Sequence, residues 1–258
     1  MTEARLTGGR KPGPPVDRRA RPAPPESSAV DREAVLAALG TVRDPELDEP
    51  LTNLGFVSGV EVDGDTVRAR LRLPTYFCAP NFAYLMVADA DTALRSVPGV
   101  RRAEVVLDDH FASEEINEGV AQRRGFQESF QGLADDELDE LRTLFRRKAL
   151  VNRQQRLLRA LLDGGTTVEE LGRLRVGDLP PSPELAAYLE RRAELGLDCS
   201  PAAPLVVDAT GMPIPVERLE GHLRFARLTA VSIEGNAGFC RGLLATRYGG
   251  PGAQAAQR

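Results

Sequence analysis

Apolar residues recur along this chain with two different periods. Val35, Leu39 and Val42 share one helical face, and Ser28 with Asp31 resembles a capping box at its start. Pro45 disfavours a helical backbone at the residue before it, so a turn begins at Asp44, in "DPELDEP". The period then changes to two. "FVSGVEV" and "TVRARLRL" flank the hairpin signal "DGD", and Val67, Ala69, Leu71 and Leu73 alternate with Thr66, Arg68, Arg70 and Arg72. Such a strand belongs to a sheet with one covered face and one wet face. Beyond Cys78 the helical period returns through Phe82, Leu85, Met86, Ala90, Leu94 and Val97. Pro98-Gly99 turns the chain, and Ala103, Val105 and Leu107 mark a third alternating strand. The expectation is a small α+β domain over residues 30–108, ordered helix, strand, strand, helix, strand.

A mainly helical extension is expected over residues 109–198. Its clearest element is "DDELDELRTLFRRKALVNRQQRLLRALL", acidic at the start, basic later, and stopped by Gly164-Gly165. Its basic residues, Arg153 and Arg156 among them, read as a dipole-matched surface. Phe126 and Phe130 look like an anchor onto a neighbouring surface. Thr166-Thr167 and Ser182 lead shorter helices. Residues 199–250 read as a mixed strand and helix segment, with "RLTAVSIE" strand-like and Asn236 the N-cap of a last helix that holds Cys240 in its first turn. Residues 1–29 and 251–258 read as disordered tails, the first rich in proline and arginine.

Composition narrows the function. A net charge of -5 gives no broad basic field, so nucleic acid is not the expected partner. No apolar run approaches the roughly 20 residues of a membrane span. Three cysteines form no disulfide framework and point to a reducing, cytoplasmic setting. His110 with Glu114, Glu115 and Glu118 repeats at helical spacing, which reads as a solvated acidic helix rather than a metal site.

The candidate chemistry lies at Cys78, in the joint between a strand and a helix. A thiol just ahead of a helix meets the positive end of the macrodipole and unpaired N–H groups, which favour the thiolate that binds iron or attacks electrophiles. Cys240 at a second helix start raises the question of whether the two sulfurs converge or Cys240 only packs.

"DPELDEPLTNLGFVSGVEVDGDTVRARLRLPTYFCAP", with the helix and "PGVRRAEVVL" strand after it, resembles the iron–sulfur assembly domain of the MMS-nineteen-interacting protein family, which includes bacterial SufT and PaaD. The resemblance covers about 80 residues. It departs at the loop: Pro74 and Ala79 stand where the family places Thr and Pro, and Pro80 comes one position late. The resemblance implies maturation of iron–sulfur or other metal-containing clients, by a carrier or adaptor rather than an enzyme. It points to Cys78 as the metal-facing residue, with Asp44 and Glu46 beside it. One cysteine cannot supply the roughly four ligands of a cluster, so the implied cargo is a labile iron–sulfur cluster or iron, not permanently bound. The expected partners are a client metalloprotein, such as a multicomponent oxygenase, other assembly factors, and a second copy of the chain in a homodimer. Two alternatives stand beside this reading: an enzyme with Cys78 as nucleophile, and an adaptor in which no cysteine matters.

Overall fold

The computed structural model describes residues 30–130 and 135–249. The expected tails, and Ser28 of the expected capping box, lie outside the described residues. The chain is α+β. Helix α1 spans Arg32–Thr41, and Asp31 caps it by accepting the Glu33 N–H at 2.9 Å. A short α2, Leu51–Leu54, follows the Asp44 turn and ends on Gly55, whose φ of 77° places it in the left-handed region that glycine tolerates. Strands β1, Val57–Asp63, and β2, Thr66–Arg72, pair antiparallel, and β3, Arg102–Asp108, adds parallel to β2. Helix α3, Pro80–Ser96, makes the crossover between β2 and β3. The alternation in β2 sorts as expected. Val67, Ala69 and Leu71 are fully buried. On the other face Arg68 pairs with Glu104 at 2.7 Å and Arg70 with Asp108 at 2.8 Å.

Helices α4, Ser113–Ala121, and α5, Phe126–Ser129, close this first core; Phe126 is buried against Tyr84 and Phe130. Helix α6 runs Asp135–Asp163 and is followed by α7, Val168–Leu171, and α8, Pro183–Glu194. Thr167 and Ser182 are the N-caps of α7 and α8. Helices α6, α7 and α8 enclose a second core with Leu205, Val206 and Leu219.

The last element corrects the sequence reading. Val216–Tyr248 is one continuous helix, α9. "RLTAVSIE" lies in its middle rather than in a strand, and Asn236 is an interior residue rather than a cap. The extended character expected nearby is confined to isolated bridges, Arg175 with Pro204 and Val207 with Pro213. Helix α9 reaches both cores: Leu219 belongs to the second, while Ala237, Cys240 and Leu244 pack on the first. No helix among the described residues is long and apolar enough to cross a membrane.

Candidate functional site

Cys78 sits in the loop between β2 and α3, directly before the Ala79 N-cap and Pro80 at the first helical turn. The sequence placed it there, and its half-buried thiol is free. Thr75 shapes the loop: its Oγ1 accepts the Phe77 N–H at 3.2 Å and lies 3.3 Å from the Cys78 sulfur. A second segment holds the loop from the side. The Phe111 N–H donates to the Tyr76 carbonyl at 3.1 Å, and His110 Nε2 lies 2.7 Å from the Cys78 carbonyl oxygen. His110 Nδ1 accepts the Ala112 N–H at 3.2 Å, so the ring proton is on Nε2 and is donated to Cys78. His110 is buried, and burial lowers its pKa below the usual histidine value.

This differs from the sequence reading, which put His110 on one helical face with Glu114, Glu115 and Glu118. It precedes α4 and faces the Cys78 loop. The histidine is a positioning residue, and the spacing of polar residues carried no sign of it. It also meets the carbonyl and not the sulfur, so it does not form the thiol–base pair that a nucleophilic cysteine uses. His222, the other histidine, accepts from Gln154 Nε2 at 2.9 Å in the second core.

The loop presents an aromatic surface. Tyr76, Phe77 and Phe111 are mutually in contact, with ring centroids 5.1 to 6.3 Å apart, and Phe77 is 77% exposed. An apolar cluster this exposed beside a half-buried thiol is a contact surface for another macromolecule.

Asp44 and Glu46 lie on the far side of the cysteine pair. Asp44 Oδ1 accepts the N–H groups of Glu46 and Leu47, both at 2.9 Å, which makes the carboxylate a turn cap as well as a candidate ligand. Burial pushes its pKa up to about 6 against those two hydrogen bonds. Cys240 comes into this group from α9. Burial pushes its thiol up to about 11, and Asp44, Cys78 and Glu46 add to the rise, in that order. Cys240 and Cys78 therefore do draw together on the first core, although no helix start activates Cys240. Cys199 lies elsewhere, donating to the Leu189 and Leu197 carbonyls at 3.7 and 3.4 Å. Among the described residues no three or more His, Cys, Asp or Glu side chains are grouped so as to hold a metal ion. One chain thus offers a thiol with nearby thiol and carboxylate groups, and an incoming species must bring its remaining ligands.

Helix α9 fixes this arrangement. Arg241 pairs with Glu49 at 2.7 Å, and Arg247 donates to the Leu73 and Asp109 carbonyls at 3.2 and 2.6 Å. Both ends of the Cys78 loop system are tied to one helix. A separate cleft of about 380 Å³ lies where α1, α3, α6 and α8 meet; Asp44, Asp89, Arg142 and Arg191 line it, and Cys78 does not.

Comparison with known proteins agrees with this geometry. The model of a family described as iron–sulfur cluster assembly protein matches residues 32–106, from the start of α1 to the end of β3. An uncharacterized protein of Methanocaldococcus jannaschii is 33% identical over 95 residues, covering 98% of its own length and 36% of this chain. Iron–sulfur cluster carrier proteins of Deinococcus radiodurans and a Synechocystis species are each 37% identical over 73 residues. That match covers 28% of this chain and 20% of either carrier. The chain thus shares about a fifth of the carriers' length.

Proposed function

We propose, from a chain that belongs to the iron–sulfur cluster assembly protein family through residues 32–106, that Cys78 receives a labile iron–sulfur cluster or iron and passes it to a client metalloprotein. The observation that carries the reading is the construction of the loop. A half-buried free thiol stands directly before a helix, its carbonyl is pinned by a buried neutral histidine, and exposed aromatic rings surround it. The helix start favours thiolate over thiol, and the aromatic surface supplies a place for a partner to dock. Asp44, Glu46 and Cys240 are close enough to act on the same cargo once it is delivered, with the partner completing the ligand set.

The reading is of a carrier or adaptor of the SufT and PaaD kind rather than of an enzyme. The absence of a base on the Cys78 sulfur among the described hydrogen bonds favours it over nucleophilic catalysis. Three free cysteines suit a reducing cytoplasm. The helical extension is the client-specific part, and a multicomponent oxygenase is the client class that the PaaD resemblance suggests.

The test is anaerobic reconstitution with iron and sulfide, followed by transfer to an apo-ferredoxin as acceptor. The wild-type chain is expected to gain sulfur-to-iron charge-transfer absorption and to transfer its cluster, and Cys78→Ala to lose both. Equal transfer by the two proteins would remove Cys78 from the function. Rapid saturable alkylation of Cys78, with neither iron nor sulfide bound, would favour the enzyme reading.

A further inference from the structure

The outward face of α9 has the wrong composition for a surface that meets only water. Ala226, Ala230, Ile233 and Ala237 turn the opposite face into the protein. At about 100° per residue the solvent side carries Phe225, Leu228, Ser232, Gly235 and Phe239. Phe225, Leu228 and Phe239 are 62%, 70% and 67% exposed, and nothing lies within 4 Å of a Cβ built on Gly221 or Gly235. The strip contains no charged residue from Phe225 to Phe239, and its members recur at the alternating three- and four-residue spacing of a helix that packs on another helix.

Two features of this strip identify its occupant. The first is shape. If the helix is reversed about Ala230, Phe225 faces Gly235, Leu228 faces Ser232 and Phe239 faces Gly221. Every large side chain meets a small one, which is what lets two helices approach closely. The second is charge. Beside the strip, Glu220, Arg227, Glu234 and Arg241 alternate in sign every seven residues. Antiparallel reversal sets Glu220 toward Arg241 and Arg227 toward Glu234, twice over by symmetry. A parallel pair in register would set like charges side by side. Both features select the same partner and the same direction.

We infer that α9 packs on the α9 of a second copy of this chain as an antiparallel, two-fold symmetric pair centred near Ala230. The consequence reaches the sulfur site. Cys240 lies ten residues beyond the centre, so the two Cys240 positions are about 30 Å apart along the pair. The dimer therefore does not let two chains share one cluster through this group; it carries two separate sites. The inference stands on the helix alone and does not depend on what Cys78 does.

The test uses the full chain. Light scattering after gel filtration is expected to give the mass of two chains for the wild type and of one chain for Leu228→Glu. Circular dichroism should be unchanged, because Leu228 is solvent-facing within one chain. Val231 sits at the centre, so Val231→Cys is expected to form a disulfide-linked dimer under mild oxidation, above the wild-type background. Glu217→Cys, near the helix start, is expected to form none, because reversal carries its copy to the far end. A monomeric wild type, or a Leu228→Glu protein that stays dimeric, would overturn the proposal. Linking at both engineered cysteines would overturn the antiparallel direction. A monomer that sediments with phosphatidylglycerol vesicles would assign the strip to a membrane surface and also overturn it.

Discussion

Asp44 carries a conflict between two duties. Its Oδ1 holds the turn by accepting two N–H groups, which favours the charged carboxylate, yet burial outweighs them and raises its pKa to about 6. An unfolded aspartate titrates near ~3.9. Between these values the folded chain binds more protons than the unfolded one, so stability falls as pH rises through about 4 to 6. The cost of keeping Asp44 charged at neutral pH is on the order of 3 kcal/mol. Asp44→Asn keeps an oxygen acceptor for Glu46 and Leu47 and removes the charge. Urea unfolding at neutral pH is expected to show a variant more stable by up to about 3 kcal/mol, with the loss between roughly pH 4 and 6 flattened. An unchanged pH slope would mean that the carboxylate is not the titrating group. A buried aspartate that resists ionisation is also a ligand held in reserve, since a bound cation would favour its charged form. The residue was legible from Pro45 and the turn it forces. Its raised pKa was not, because burial depends on α9 and α6 arriving from elsewhere in the chain.

Elements with a strong local pattern were legible, and those set by long-range packing were not. The strand from Thr66 to Arg72 declared itself because one face needs apolar side chains and the other carries arginines paired across to β3. The end of α6 declared itself through Gly164-Gly165, where Gly165 takes a φ of 96°. In α9, Thr229, Val231 and Ile233 alternate like a strand, while the helical signal rests on Ala226, Ala230 and Ala237, which are too small to stand out. The Cys78 loop shows the same limit. Its position was readable, but the His110 segment that pins it returns from beyond β3. His110→Leu removes the donor to the Cys78 carbonyl and the acceptor for Ala112. It is expected to cost about 1–3 kcal/mol in chemical denaturation and to speed iodoacetamide labelling of Cys78 as the loop loosens. Unaltered labelling, with stability lost, would make His110 a packing residue without influence on the thiol.

At the scale of the whole molecule, one aspartate joins the sulfur-bearing domain to the helical extension. Asp48 lies in the same turn as Asp44, with a φ of 52° and a carboxylate only 6% exposed. Arg153 of α6 reaches it through Nε at 2.6 Å and Nη2 at 3.0 Å, and Arg191 of α8 through Nη2 at 2.7 Å and Nε at 3.1 Å. The sequence reading had placed Arg153 on a solvated basic face; it is instead buried, donating also to the Ala187 carbonyl and to Glu190. Removing one member of such a buried group leaves the others desolvated and uncompensated, which typically costs about 3–5 kcal/mol. Glu190 and Glu194 still touch the two guanidinium groups, so Asp48→Asn belongs at the lower end, about 3 kcal/mol. Asparagine tolerates the positive φ, which confines the change to the charge. The two cores meet chiefly through this turn, through Arg142 with Asp89, and through α9. Weakening the turn should therefore uncouple them. Calorimetry of Asp48→Asn is expected to show one unfolding transition becoming two, with limited proteolysis cutting first in the extension. A single transition displaced as a whole would mean that α9 alone keeps the two cores cooperative, and that the cysteine site and the extension respond to a client as one body.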